Sequence, residues 1–259
     1  MLELTILGSG TSVPSATRLS PAHLVRTDGY SLLVDCGSGA SSSLARAGVS
    51  LDQVGGILLS HLHPDHTADL LPLLFALSNP VGPPRVAELP LWGPEGTALR
   101  VDKLREVYGP WVRPRRAELR VQELRDGEEV QAGPLRIVAF AVEHTRGSLA
   151  FQIAHEGKLL AYSGDSAPCA GLERAALGAD LFLCECAAID EEPVKGHMTP
   201  SGVGRLATAA GCREVVLTHL YDRLVERDLA ARVRQHFAGP VRLAEDGLRL
   251  PVGLRIQPQ

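Results

Sequence analysis

The chain is short of several things, and each shortage removes a class of explanation. Asn79 is its only asparagine, and Lys103, Lys158 and Lys195 are its only lysines, so the cationic side of the balance is almost all arginine. Such bias fits a GC-rich genome or a hot habitat, and composition does not separate the two. A net charge of -4 supplies no global attraction to nucleic acid, so a polyanion has to be held by local charge or by metal ions. No apolar run approaches the ~20 residues that a membrane span needs. The opening Met1-Leu2-Glu3-Leu4-Thr5-Ile6-Leu7-Gly8 alternates and carries no basic leader, so no secretion signal is expected and the cytoplasm is the expected compartment. Five cysteines (Cys36, Cys169, Cys184, Cys186, Cys212) without a Cys-x-x-Cys pair argue against a disulfide framework and against a structural zinc knuckle. Repeats and low-complexity segments are absent.

What remains is the composition of an ordinary soluble globular protein, 259 residues with 45% hydrophobic and 22% charged side chains. Strands are expected at 2–7, 22–26, 30–35, 56–59, 135–142, 148–154, 158–162, 181–184 and 214–217, with a short one near 241 and a strand-rich stretch over 119–162. Helices are expected at 40–47, 67–77, 99–108, 201–210 and 224–237. The run Asn79-Pro80-Val81-Gly82-Pro83-Pro84 is too rich in breakers to be anything except a connection. Strands grouped toward both ends, each group followed by helices, predict an α/β (α+β) fold in which two sheets stack face to face with helices outside. That is a four-layer αβ/βα sandwich, read as one domain over 1–259.

The chemistry concentrates after the apolar run Gly55-Gly56-Ile57-Leu58-Leu59-Ser60, where His61, His63, Asp65 and His66 fall within six residues. On extended backbone, residues two apart share a side, so His61 and His63 can grip one ion while Leu62 turns into the core. Pro64 stops the extended run, and Asp65 stands where a helix N-cap is expected, so Asp65 and His66 leave a helix start toward the same cavity. His144, Asp165 and His219 each follow a predicted strand directly, which places them at strand ends beside that cluster. Imidazoles and carboxylates suit zinc, although manganese or iron fit the same donors. Two ions roughly 3.5 to 4 Å apart would clamp attacking and leaving oxygens, with the water between them ionised near neutral pH.

His61 to His66 match the His-x-His-x-Asp-His signature, and on this the chain resembles the metallo-β-lactamase fold hydrolases over nearly its whole length. The resemblance implies two Zn2+ per chain: His61, His63 and His144 on one, Asp65, His66 and His219 on the other, and Asp165 bridging. Asp35, within Leu33-Val34-Asp35-Cys36-Gly37, matches the early supporting aspartate. Within the superfamily the likeness is to the ribonuclease Z-like phosphodiesterase branch. The glycine-rich turn Leu7-Gly8-Ser9-Gly10-Thr11, the acidic strand Asp180-Leu181-Phe182-Leu183-Cys184-Glu185-Cys186 and the element His197-Met198-Thr199-Pro200 carry it. There Glu185 would orient His197, and His197 would protonate the departing oxygen, with Asp65 helping to orient the nucleophile. Thr199 and Ser201 at the following helix start are candidate donors to a substrate phosphate. Cys184 and Cys186, flanking Glu185, are expected in the core.

The chain departs from that branch in one respect: His144 and Asp165 lie 21 residues apart, which leaves no room for the long arm that grips tRNA. Arg113-Pro114-Arg115-Arg116 is the one dense basic patch and reads as a solvated loop. The expected substrate is therefore an RNA 3′ end or a small or cyclic phosphodiester, and the resemblance implies a homodimer. A thioesterase or lactonase of the same fold is the alternative, and a non-catalytic metal-binding partner protein is a third.

Overall fold

The computed structural model describes residues 1–79, 88–114 and 118–253. The first half of the chain builds one sheet from β1 (Glu3–Gly8), β2 (Ala22–Thr27), β3 (Tyr30–Cys36), β4 (Val54–Leu58), β5 (Leu89–Gly93) and β6 (Leu119–Glu123). The second half builds another from β7 (Glu129–Ala132), β8 (Leu135–Ala141), β9 (Leu149–His155), β10 (Lys158–Tyr162), β11 (Leu181–Glu185), β12 (Val215–Thr218) and β13 (Val241–Leu243). A last strand, β14 (Arg249–Pro251), returns to pair with β1, so the first sheet has the order β14-β1-β2-β3-β4-β5-β6 and the second β13-β12-β11-β10-β9-β8-β7. Pairing is parallel from β3 to β6 and from β10 to β13, and antiparallel elsewhere.

Alternation of apolar side chains sets the layers. Leu32 and Val34 of β3 and Leu181 and Leu183 of β11 face into a core shared by the two sheets with Leu4, Ile6, Ile137, Ile153 and Val216. Their neighbours turn outward: Leu33 and Ile57 beneath one helical layer, Phe182, Cys184 and Leu217 beneath the other. Strands buried on both faces read as continuous apolar runs, as the parallel strands here do. The helices are α1 (Ala40–Arg46), α2 (Pro64–Thr67), α3 (Leu70–Ser78), α4 (Thr97–Tyr108), α5 (Ala170–Ala176), α6 (Pro200–Ala209), α7 (Asp222–Val225) and α8 (Leu229–Arg234). The expected four-layer αβ/βα sandwich is the observed fold, and Cys184 and Cys186 are buried in its outer core.

Several boundaries differ from expectation. The helix expected at 67–77 is two pieces, because Asp69 stands at the start of α3 and its carboxylate accepts hydrogen bonds from Gly39 N, Ser41 N and Ser41 Oγ at the start of α1. The helix expected at 224–237 breaks before Asp228, whose φ of 49 is left-handed. Strand β5 was not expected, since Pro90 lies inside it and proline marks most segments as non-strand. Helix α5 and strand β14 were also not expected. Residues 80–84 of the breaker-rich run and Arg115 and Arg116 of the basic patch lie outside the described residues. Among the described residues no helix is long and apolar enough to cross a membrane.

Candidate metal centre

Open sheets present their loops at the carboxyl ends of parallel strands, and the candidate residues collect there. After β4 the chain bends at Ser60 and runs to His63, which is extended at φ -63 and ψ 149 and occupies the capping position of α2. Pro64 follows as the first helical residue, so Asp65 is inside the first turn and is not the N-cap expected from the sequence. Leu62 packs partly buried against the outer core, between two histidines that face the centre. Gly37 lets the end of β3 lie against α2: a Cβ there would stand 2.0 Å from the Asp65 carbonyl oxygen. Gly164, at φ 55, turns the chain sharply after β10, and a Cβ on it would meet Ser60 at 2.8 Å. Asp35 and His219 also hold left-handed φ values of 54 and 57, conformations that side-chain-bearing residues seldom adopt and that cluster at functional sites.

These turns bring the donors together. His63 Nδ1 lies 3.2 Å from His144 Nε2. His66 Nε2 lies 3.4 Å from Asp165 Oδ1, and His219 Nε2 lies 3.3 Å from Asp65 Oδ2 and 3.4 Å from Asp165 Oδ2. His61 Nε2 and His144 Nε2 are each 3.8 Å from Asp165 Oδ2. Ligands on one tetrahedral ion with bonds of about 2.0–2.1 Å stand roughly 3.3–3.5 Å apart, so these separations suit donors around a cation. Among the described residues three groups have all their ligand atoms within 4.8 Å of one another: His61, His63, His144 and Asp165; Asp65, His66 and His219; and Asp165, His197 and His219. Asp165 belongs to two of them.

The fit to metal ions rests on the hydrogen-bonding of the imidazoles. His66 Nδ1 donates to Asp35 Oδ2 at 2.7 Å, and His144 Nδ1 donates to the Gly196 carbonyl at 3.0 Å. Ser60 Oγ gives its own proton to Asp35 Oδ2, which leaves it to accept from His61 Nδ1 at 3.1 Å. Each of the three rings is thereby fixed with a lone pair on Nε2 aimed at the centre, the arrangement that supporting hydrogen bonds impose on metal-binding histidines. His61 Nε2, His66 Nε2 and Asp165 Oδ1 are buried without a hydrogen-bond partner among the described residues. Buried polar atoms are rarely left that way, and cations would satisfy all three. The cluster is a metal-binding one.

Electrostatics agree. Burial, reinforced by the neighbouring His66, drives His61 down to about 2 and so keeps it neutral. Burial works against charge on Asp165, yet the surrounding histidines, His219 and His66 first, hold its carboxyl well below the usual range. His66 goes the other way: burial disfavours its charge, but Asp165 and Asp35 pull its proton affinity well above the ordinary imidazole value. Without a cation a proton on His66 sits beside the ionised Asp165, and an ion taken up there would displace that proton and free the Nε2 lone pair.

Asp35 lies under the cluster, fully buried, accepting from Ser60 N at 2.7 Å and Tyr162 OH at 2.6 Å in addition to Ser60 Oγ and His66. Glu185, at the end of β11, is also fully buried and accepts from Ser166 N, Ala187 N and Met198 N at 3.2, 2.9 and 3.1 Å. Its fourth donor is His197 Nδ1 at 2.9 Å. The His197 ring then stacks on His219, centroids 5.8 Å apart, and meets His144 edge-on at 4.9 Å. Burial opposes charge on His197, but the hydrogen bond and charge of Glu185, helped by Asp165 and Asp65, raise its pKa above the ordinary value.

Residues 30–220 match the family model described as the Beta-lactamase superfamily domain. The chain belongs to the metallo-β-lactamase superfamily. Within the superfamily it falls in the ribonuclease Z-like branch. Ribonuclease Z of Mycolicibacterium gilvum (strain PYR-GCK) is 30% identical over 276 residues, covering 97% of this chain and 96% of that protein. Among solved structures, the metallo-beta-lactamase fold protein YhfI from Bacillus subtilis has 28% identity and a TM-score of 0.85, covering 97% of this chain and all 100% of that one. Human tRNase Z, short form, shares the fold at 22% identity and a TM-score of 0.76, covering 97% of this chain and 100% of its own. This metallo-β-lactamase superfamily member is a hydrolase.

The structure brings His61, His63, Asp65, His66, His144, Asp165 and His219 into one cluster, with Asp35 below it and the Glu185–His197 pair beside it. Thr199 and Ser201 stand differently. Thr199 is the N-cap of α6, its hydroxyl accepting from Gly202 N, while Ser201 gives both its N–H and its hydroxyl to Asp190. The Ser201 donors are committed to Asp190, and the Thr199 hydroxyl is hydrogen-bonded to Asp190 as well, which corrects the expectation that they face a phosphate. Three supporting residues were not expected: Ser60, Tyr162 and the carbonyl of Gly196. Ser60 adjoins His61, and that adjacency was a usable signal. Tyr162 reaches Asp35 across the packing of the two sheets and Gly196 reaches His144 from the loop between β11 and α6, so neither is local in sequence to its partner.

Proposed function

We propose that this protein is a binuclear zinc phosphodiesterase acting on RNA 3′ ends or on small or cyclic phosphodiesters, and that it works in the cytoplasm as a homodimer of single-domain chains spanning 1–259. His61, His63 and His144 would hold one ion, Asp65, His66 and His219 the other, and Asp165 both. When bound, the ions supply Lewis-acid charge and a water that ionises near neutral pH. Manganese or iron would suit the same nitrogen and oxygen donors less selectively.

The single observation that carries the phosphodiesterase reading is the Glu185–His197 pair. The thiolate of a thioester leaves unprotonated, whereas expelling an alkoxide from phosphorus calls for a proton donor. Glu185 holds the imidazole by Nδ1, so Nε2 is the free nitrogen, and His197 keeps 16% of its side chain exposed beside the cluster. A protonated His197 delivers its Nε2 proton to the leaving oxygen, and general-acid help of this kind is worth about 10²–10⁴-fold in rate. Asp65, beside His219 on the second ion, would also orient the attacking oxygen. Relatives named Ribonuclease Z support a phosphodiester bond in RNA as the target. Strands β9 and β10 are joined by the tight turn Glu156–Gly157, so this hairpin carries no arm between His144 and Asp165, and short or single-stranded ends are favoured over a gripped tRNA body.

The test is hydrolysis of bis(p-nitrophenyl) phosphate by metal-quantified protein, with Asp165→Ala and His197→Ala alongside. Turnover that Asp165→Ala abolishes, with His197→Ala cutting the rate strongly on a dinucleotide whose alkoxide needs a proton and much less on this aryl diester, supports the reading. No turnover with two ions bound per chain would move the search to thioesters and lactones, and fewer than two ions with no turnover on any ester would favour a non-catalytic metal protein.

A further inference from the structure

Aromatic side chains are scarce, 4% of the chain, and one of them stands where a substrate would meet it. The rings of the centre form a continuous row: His144 to His197 at 4.9 Å, His197 to His219 at 5.8 Å, then His219 to Tyr221 at 6.5 Å with the planes at 84°. The row ends at the Arg223 guanidinium, 5.9 Å from the centroid of the Tyr221 ring. Among the described Phe, Tyr and Trp rings, Tyr221 is the one in ring contact with a histidine of the cluster. It is half-buried: its inner part packs against the outer core, and the rest is open. Arg223 is itself steadied by Glu192 at 3.6 Å, and its side chain remains 67% exposed.

We propose that Tyr221 is a stacking face for a nucleobase, so that the centre selects nucleotidyl phosphodiesters over esters that lack a base. This rests on the phosphodiesterase reading given above. Tyr221 follows His219 in this row and has no ring contact with His197 among the described residues, so it adjoins the centre through His219 and not through the proton donor. A base there would stand about one sugar away from a phosphorus held at His219. Aromatic stacking accepts every base because each has a π-face, and an arginine against the tyrosine adds cation–π attraction. The recognition is therefore of nucleotides as a class, without base identity.

The experiment compares two probes with the same leaving group, thymidine 5′-(p-nitrophenyl phosphate) and methyl p-nitrophenyl phosphate, on the metal-loaded protein. The wild type is expected to prefer the nucleotide. In Tyr221→Ala and in Tyr221→Leu, which keeps apolar packing, the preference in kcat/KM should fall by about tenfold or more, the scale of one base–aromatic stack, and the change should sit in KM. Tyr221→Trp and Tyr221→Phe should restore it. Calorimetric binding of thymidine 5′-monophosphate to the same variants should weaken by the same factor. An unchanged preference in Tyr221→Leu, or equal losses on both probes, overturns the stacking role. If neither diester is hydrolysed, the phosphodiesterase reading fails, and calorimetry alone then decides whether Tyr221 binds a nucleotide.

Discussion

Asp35 and Glu185 are both fully buried carboxylates, each accepting four hydrogen bonds, and each holding one imidazole by its Nδ1. Their surroundings separate them. Asp35 is fed mainly by side chains, including Tyr162 from the opposite sheet, and its partner His66 is wholly enclosed with Nε2 turned to Asp165. Glu185 is fed mainly by backbone N–H groups, and its partner His197 lies partly open at the edge of the centre. One construction thus yields an enclosed donor to a cation in the first place and a proton carrier in the second. What the second ring nitrogen faces decides the role, while the carboxylate in both places fixes the tautomer and raises the proton affinity of the ring.

Substitutions can break this contrast in graded steps. The largest effect is expected from Asp165→Ala, which removes an oxygen shared by two donor groups: several kcal/mol of charge stabilisation, or about 10³-fold in turnover, should be lost together with bound metal measured by mass spectrometry. His197→Ala should lower kcat by about 10²–10³-fold while metal content stays at the wild-type level, which separates the two imidazoles directly. Asp35→Asn presents an amide N–H2 to donors that need an acceptor, so metal affinity should fall about 10–100-fold by competition with a chelator. The smallest change belongs to Glu185→Gln, with a loss of about tenfold or less at neutral pH. There the pH profile is the sharper readout. His197 must be protonated to act, its pKa is raised in the folded protein, and activity falls as pH rises through that value; without the Glu185 charge this alkaline limb should move down toward the ordinary imidazole range. An unmoved limb would show that the proton comes from elsewhere.

Much of this was legible in the residues, and unevenly. His61 to His66 are contiguous, so their spacing alone announced a shared target, and short apolar runs before His144, Asp165 and His219 placed each at a strand end. The sandwich followed from the grouping of strands, since runs such as Leu181-Phe182-Leu183-Cys184 need cover on both faces. What stayed hidden depends on pairing between distant segments. Nothing local to Tyr162 says that its hydroxyl crosses the shared core to Asp35, 127 positions away. Ser201 misled because a hydroxyl at a helix start serves a ligand or a neighbouring carboxylate equally well, and only the position of Asp190 decides. Asp69 likewise looked like an interior helical residue until α1 was seen to rest its amides on it.

The donors come from both halves of the sandwich, His61, His63, Asp65 and His66 from the first sheet and His144, Asp165 and His219 from the second. An ion held there would be a rivet through two layers of the molecule, and its uptake would certify assembly. A chain with only one sheet formed could offer no more than a partial set of donors and would compete poorly for scarce metal, so loading should follow folding and then lock it. Titrating zinc into the urea-unfolded and the native chain would expose that order of events: comparable affinities would mean that the rivet goes in before the plates are aligned.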